Sequence, residues 1–150
     1  MSGGPADYSW RGVPAPDGHI YNARVTDGIE RLRASLKSSL PTQLSVSESQ
    51  RQYFFDDDEA AVSELDVQDH HAETEFLMVA TEKALYSDLR LGFFVRVWSR
   101  HAHEVWVLDT DSHAVSRICA NGKTRIYRPG EEISSPLLPD FAVAVDWLFR

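Results

Sequence analysis

The sequence is short of several things. It has one cysteine, Cys119, in 150 residues, which excludes an internal disulfide framework and a CxxC metal knuckle. No apolar run approaches the roughly 18 residues that a transmembrane helix needs. The opening MSGGPADYSWRGVPAPDG lacks the apolar centre of a secretory signal, so a cytoplasmic location is the simplest expectation. Basic residues are outnumbered, 15 Lys and Arg against 23 Asp and Glu, for a formal net charge of −8. Phosphate binding is largely electrostatic, so this is a poor field for gripping DNA. There is no Gly-x-Ser-x-Gly elbow and no Gly-rich phosphate loop; Gly3-Gly4 lies in a Pro- and Ala-rich stretch.

What is present fits one domain with a core large enough to fold alone. Residues 1–20 read as an extended N-terminal arm, and residues 21–150 as a single domain. The arm carries Tyr8, Trp10, Val13 and Ile20, and large aromatics in such a segment often anchor on a partner or on the domain's own surface. Basic residues gather in two places, Arg90, Arg96 and Arg100, then Lys123, Arg125 and Arg128.

Periodicity gives the elements. In NARVTDGIERLRASLKSSLP, Val25, Ile29, Leu32, Leu36 and Leu40 share one helical face, and Pro41 ends it. Leu44 and Val46, then Tyr53 and Phe55, alternate as two strands or one bulged pair. Residues 59–74 read as a polar loop, with a short strand near Leu65 and Val67. FLMVA, residues 76–80, is a strand buried on both faces. Thr81 is placed to cap a second helix, with Leu85, Leu89, Phe93 and Val97 stepping by four beside Phe94 and Trp98. Gly92 inside that helix costs roughly 1 kcal/mol relative to Ala. EVWVLD is another strand. AVSRICA and TRIYRP flank Asn121-Gly122, which suggests a type I′ hairpin. Phe141, Val143 and Val145 alternate as a last strand, and Asp146 is placed to cap a final turn with Trp147. The order predicts a mixed α/β sheet with a helix on each side.

YFFDDDE, residues 53–59, raises a question about chemistry. Four carboxylates follow three aromatics, as at a metal corner or at a solvated strand end. His70-His71 and His101-x-His103 invite a zinc reading, but a third ligand must come from elsewhere, such as Asp88 or Glu104. Paired histidines are more often polar surface, so no metal site is assigned. Cys119, in mid-strand, reads as a small core residue.

The order of elements, with four local matches, resembles a large bacterial family of inferred restriction endonucleases in the PD-(D/E)XK superfamily. SSPLLPDFAVAVDWLF resembles its closing stretch, and HEVWVLDTDSHAV its Glu-Tyr-Trp-hydrophobic-Asp strand. YSDLRLG resembles its Asp-Leu step, and YFFDDD sits where an aromatic-flanked Pro-Asp would lie. The resemblance covers about residues 19 to 149. It implies a restriction-endonuclease-like fold: a mixed central sheet flanked by helices, with a C-terminal β-hairpin and strand. It also implies hydrolysis of phosphodiester bonds, with carboxylates converging on Mg²⁺ and a lysine assisting.

Carried over residue by residue, the family's Asp fits Asp57, with Asp56 in place of Pro. Its Glu, in the middle of the buried strand, falls on Met78, whose thioether suits no hard cation. The nearest substitute is Glu75. Its Lys should follow Asp88-Leu89, where this chain has Arg90, Leu91 and Gly92; Lys83 is the nearest lysine. The expectation is a catalytically degenerate, non-enzymatic scaffold or interaction subunit without cofactor. Its contacts would be Tyr8, Trp10, Val13 and Trp147, and its partner another protein or a second copy. The competing expectation is a Mg²⁺-dependent endonuclease acting on DNA through Asp57, Glu75 and Lys83.

Overall fold

A computed structural model describes residues 13–14, 27–55, 58–69, 76–82 and 88–150, with side chains described at 28–48, 64–69, 77–82 and 91–150. Seven strands form one mixed sheet in the order β1 to β7, and β8 and β9 form a separate two-stranded sheet. The strands are β1 (Val13–Pro14), β2 (Leu44–Phe55), β3 (Asp58–Asp69), β4 (Phe76–Glu82), β5 (Ala102–Asp109), β6 (Ala114–Cys119), β7 (Thr124–Tyr127), β8 (Glu132–Ser135) and β9 (Leu138–Ala144). Three helices are α1 (Asp27–Ser39), α2 (Asp88–Trp98) and α3 (Val145–Leu148). Among the described residues only β4 and β5 run parallel, with α2 between them in the chain; the other neighbouring pairs are antiparallel.

The sheet separates two cores. On one face, Ile29, Leu32 and Leu36 of α1 pack with Leu65, Val67, Met78, Trp106 and the β8–β9 hairpin. The spacing of these α1 residues is the reason the helix lies flat on the sheet. Arg31 pins the chain end there, donating from Nη1 to the carbonyls of Trp147, Leu148 and Arg150 at 3.4, 3.3 and 2.9 Å. On the other face, Phe94 and Trp98 of α2 stack at 5.4 Å and pack with Val79, Val105 and Val107. The buried pair is therefore Phe94 and Trp98, while Phe93 is half-buried beside them. The expected helix on each side is found.

Several local expectations change. Residues 44–55 make one strand of 12 residues, and residues 58–69 make another, where a loop was expected. They pair antiparallel from Leu44↔Asp69 to Phe55↔Asp58, and Asp56 and Asp57 lie outside the described residues. The polar look of β3 is misleading because Glu64 and Asp66 are inward-facing and buried. Thr81 is no cap; it lies within β4, fully buried, and α2 begins at Asp88. Asn121-Gly122 does mark a hairpin, but among the described residues only Gly122 of that pair has positive φ, +89°. Gly122 N–H donates to Cys119 O, and Cys119 N–H to Lys123 O, both at 2.8 Å, closing a three-residue loop with a glycine bulge. Cys119 thus ends β6 rather than sitting in mid-strand. Val145 starts α3, and Asp146 caps nothing there; its Oδ2 accepts from Gly130 N–H at 3.2 Å.

Candidate functional site

Asp57, Glu75, Lys83, Tyr8 and Trp10 lie outside the described residues, as do His70 and His71. Their described neighbours can be placed. Asp58 opens β3 opposite Phe55, whereas Phe76 pairs with Gln68 near the other end of β3. At strand rise, about 33 Å of extended chain separates Asp58 from Gln68. Val13 pairs by its backbone with Gln52 as an edge strand on β2. Trp147 is half-buried against the main core.

The centre of β4 can be described fully. Met78 is 1% exposed and belongs to the main core. Its register partner on β3 is Val67 and on β5 is Glu104. Glu104 is thus the carboxylate beside the position where the resemblance asks for an acid, and it is fully engaged. Its Oε1 accepts from Trp106 Nε1–H at 2.9 Å and from Ser135 O–H at 2.8 Å. The same hydroxyl is 2.9 Å from Oε2, and Arg117 Nη1 lies 3.7 Å from Oε2. Ser135 Oγ in turn accepts from Leu137 N–H at 3.1 Å. Arg117 also donates to Ser134 O at 3.2 Å, and Tyr127 O–H donates to the same carbonyl at 2.9 Å. HEVWVLD and SSPLLP, two of the four stretches that carry the resemblance, are therefore bound to each other. Their polar residues form a latch between the central sheet and the β8–β9 hairpin. Buried charges persist when paired and hydrogen-bonded, and this one is both.

Three other buried carboxylates sit on the central strands: Glu64, Asp66 and Glu82. Strand alternation divides them. Leu65 and Val67 face α1, so Glu64 and Asp66 face the α2 side, where Asp66 is opposite Val79. Met78 and Ala80 face α1, so Glu82 does too, beside Leu108. One ion cannot collect acids from both faces of a sheet, and no group of three metal-ligating side chains occurs among the described residues. Glu82 is 2% exposed and its Oε2 has no hydrogen-bond partner. Burial pushes its carboxyl up to about 7, because the charged form is deprived of water.

Two more acids meet on the α1 side. Burial, and then a hydrogen bond and like charge from Glu30, raise the Glu48 carboxyl, with Arg33 opposing. His101 lies in the turn before β5, and His103 is exposed on β5. Burial, then the charge of Arg100, lowers His101 below the usual histidine range.

No family model matches the chain, and no curated protein matches it. Among solved structures, the crystal structure of a candidate nuclease of DUF820 from Anabaena variabilis ATCC 29413 matches with a TM-score of 0.65 at 13% identity. The match covers 91% of this chain and 83% of that one. The fold is restriction-endonuclease-like. At that identity the likeness speaks for the fold alone.

Sequence reasoning missed the latch and the buried acids. A signal for the latch was present: a glutamate two residues before a tryptophan in an otherwise apolar strand, together with a serine before Pro-Leu-Leu. A signal for Glu82 was its place directly after a doubly buried run. Nothing in the pattern distinguished Glu64 and Asp66 from solvated acids.

Proposed function

We propose that this chain is a restriction-endonuclease-like protein that has lost catalysis and serves as an interaction subunit of a larger protein assembly in the cytoplasm. The observation that carries this reading is Met78. It fills the centre of β4 with a buried thioether at the point where the resemblance requires a carboxylate for Mg²⁺. The neighbouring acid, Glu104, is committed to Ser135, Trp106 and Arg117. The fold is kept as a scaffold and needs no cofactor. The partner is another protein, or a second copy, held by Tyr8, Trp10 and Val13 of the arm, with Trp147 contributing from the chain end. Edge pairing of Val13 and Pro14 with β2 supports an arm that lies along the sheet.

The test is removal of residues 1–18. Light scattering and co-purification should show that the full chain associates and the trimmed chain does not. Circular dichroism should report the same folded domain in both. Association that survives trimming would contradict the arm as the contact.

The competing reading is a Mg²⁺-dependent DNA endonuclease with a rearranged site; the buried acids Glu64, Asp66 and Glu82 do not assemble it, because they divide between the two faces of the sheet. That reading assigns catalysis to Asp57, Glu75 and Lys83, which lie outside the described residues. It expects Asp57→Ala to abolish divalent-dependent cleavage without unfolding the chain.

A further inference from the structure

The β7 edge of the sheet combines features that a purely solvated strand does not need. β7 is the outermost strand on its side. The Cys119–Lys123 link fixes the phase of the β6–β7 ladder. Hydrogen-bonded pairs alternate from there through Arg117↔Arg125 and Val115↔Tyr127. The N–H and C=O groups of Thr124 and Ile126 therefore point away from β6 to the open side. Ile126 is 45% exposed and is the one large apolar side chain so exposed among the described residues. Lys123, Arg125 and Arg128 are all exposed around it, on a chain of net charge −8.

The charges are also set against their own interest. Arg125 stands directly opposite Arg117 in the register, and like charges so placed repel. Arg117 is compensated by Glu104. Arg125 has only the Tyr127 ring, 4.8 Å from its guanidinium carbon, which holds the group in place without neutralising it. Glu131 Oε1 accepts from Arg128 N–H at 2.7 Å. Among the described residues, Lys123, Arg125 and Arg128 make no ion pair.

We infer that the β7 edge is a docking site for an extended acidic segment of a partner protein, which adds as a further strand. The open backbone groups of Thr124 and Ile126 would pair with it, Ile126 would cover an apolar side chain, and Lys123, Arg125 and Arg128 would meet its carboxylates. Charge selects against the other occupants. A second β7 would bring the same cations face to face. A nucleic-acid backbone would use the cations but neither the strand edge nor Ile126, and would meet the net negative charge of the whole chain. This inference deepens the reading of an interaction subunit. It concerns the opposite edge of the sheet from the arm, so failure here and failure of the arm test are separately visible.

The experiment uses the full chain and a labelled synthetic peptide alternating Glu and Val. Anisotropy should report binding that weakens with added salt, and the backbone amide resonances of Thr124 and Ile126 should shift most. Ile126→Pro removes one outward donor while leaving the β6 ladder intact, and should weaken binding about tenfold, the scale of one lost hydrogen bond. Arg125→Glu should weaken it by a similar factor with the thermal midpoint little changed. A peptide alternating Lys and Val should not bind. The inference is overturned if the acidic peptide leaves Thr124 and Ile126 unshifted. It is equally overturned if oligodeoxythymidylate binds as tightly through the same residues, or if Ile126→Pro instead disperses a dimer of the chain.

Discussion

Glu104 and Glu82 sit on neighbouring strands, face the same core and are almost equally buried, at 4% and 2% exposure. The molecule treats them oppositely. Glu104 has a tryptophan N–H, a serine hydroxyl and an arginine around it. Glu82 has an oxygen with no partner. The contrast teaches that burial of an acid in this fold is not by itself a sign of chemistry. Glu104 is a structural charge, stabilised by its partners and useful for holding the β8–β9 hairpin on the sheet. Glu82 lowers the cost of burial by holding its proton up to about pH 7.

Breaking the partnered acid should cost most. Glu104→Ala leaves Arg117, Ser135 and the Trp106 N–H without their shared acceptor. Loss of one member of such a buried set costs about 3–5 kcal/mol. Urea unfolding should show that loss, and proteolysis should find the segment after Tyr127 opened first.

Glu82 should respond to pH in the other sense. The folded carboxyl sits at about 7, above its usual 4.5. The folded state therefore holds a proton that the unfolded chain releases, and stability falls as pH rises from about 4.5 to about 7. Glu82→Gln removes that dependence. The variant should match the natural chain near pH 4.5 and become progressively more stable than it as pH rises through about 7. Comparing the two chains across pH isolates Glu82 from Glu48, whose raised carboxyl acts in the same direction. A constant difference at all pH values would contradict the protonated account.

A smaller change separates the hydroxyl from the charge. Ser135→Ala leaves Glu104 its tryptophan and arginine, and should cost about 2 kcal/mol, the value of hydrogen bonds to a charged group. If it costs as much as Glu104→Ala, Ser135 rather than the carboxylate holds the hairpin. The smallest effect provides a reference away from both acids. Gly92 lies exposed in α2 with nothing within 4 Å of an added Cβ. Gly92→Ala should stabilise the chain by up to about 1 kcal/mol, seen as a raised thermal midpoint.

The elements that were legible in the sequence are those whose apolar spacing has one meaning. α1 was readable because Ile29, Leu32 and Leu36 repeat at helical steps, and β4 and β5 because a short run buried on both faces leaves few alternatives. β3 was not, because Glu64 and Asp66 point inward where the pattern assigns acids to solvent. The helix before Phe94 looked longer because Thr81 resembles a cap, and burial in a parallel strand overrode that preference. The Asn121-Gly122 hairpin was legible, but the loop takes one more residue than the pair suggests, so one glycine suffices. Of the candidate site, the identity of Met78 was legible and its burial followed from its strand. The latch was hidden because its partners, Glu104 and Ser135, are 31 residues apart and only the fold brings them together.

The most direct test of the central claim is calorimetric titration of Mg²⁺ and Mn²⁺ into the purified chain, with a plasmid-nicking assay on the same sample. A lost site predicts no binding and no nicking. Binding accompanied by nicking, both abolished in Asp57→Ala, would contradict it and restore the enzyme.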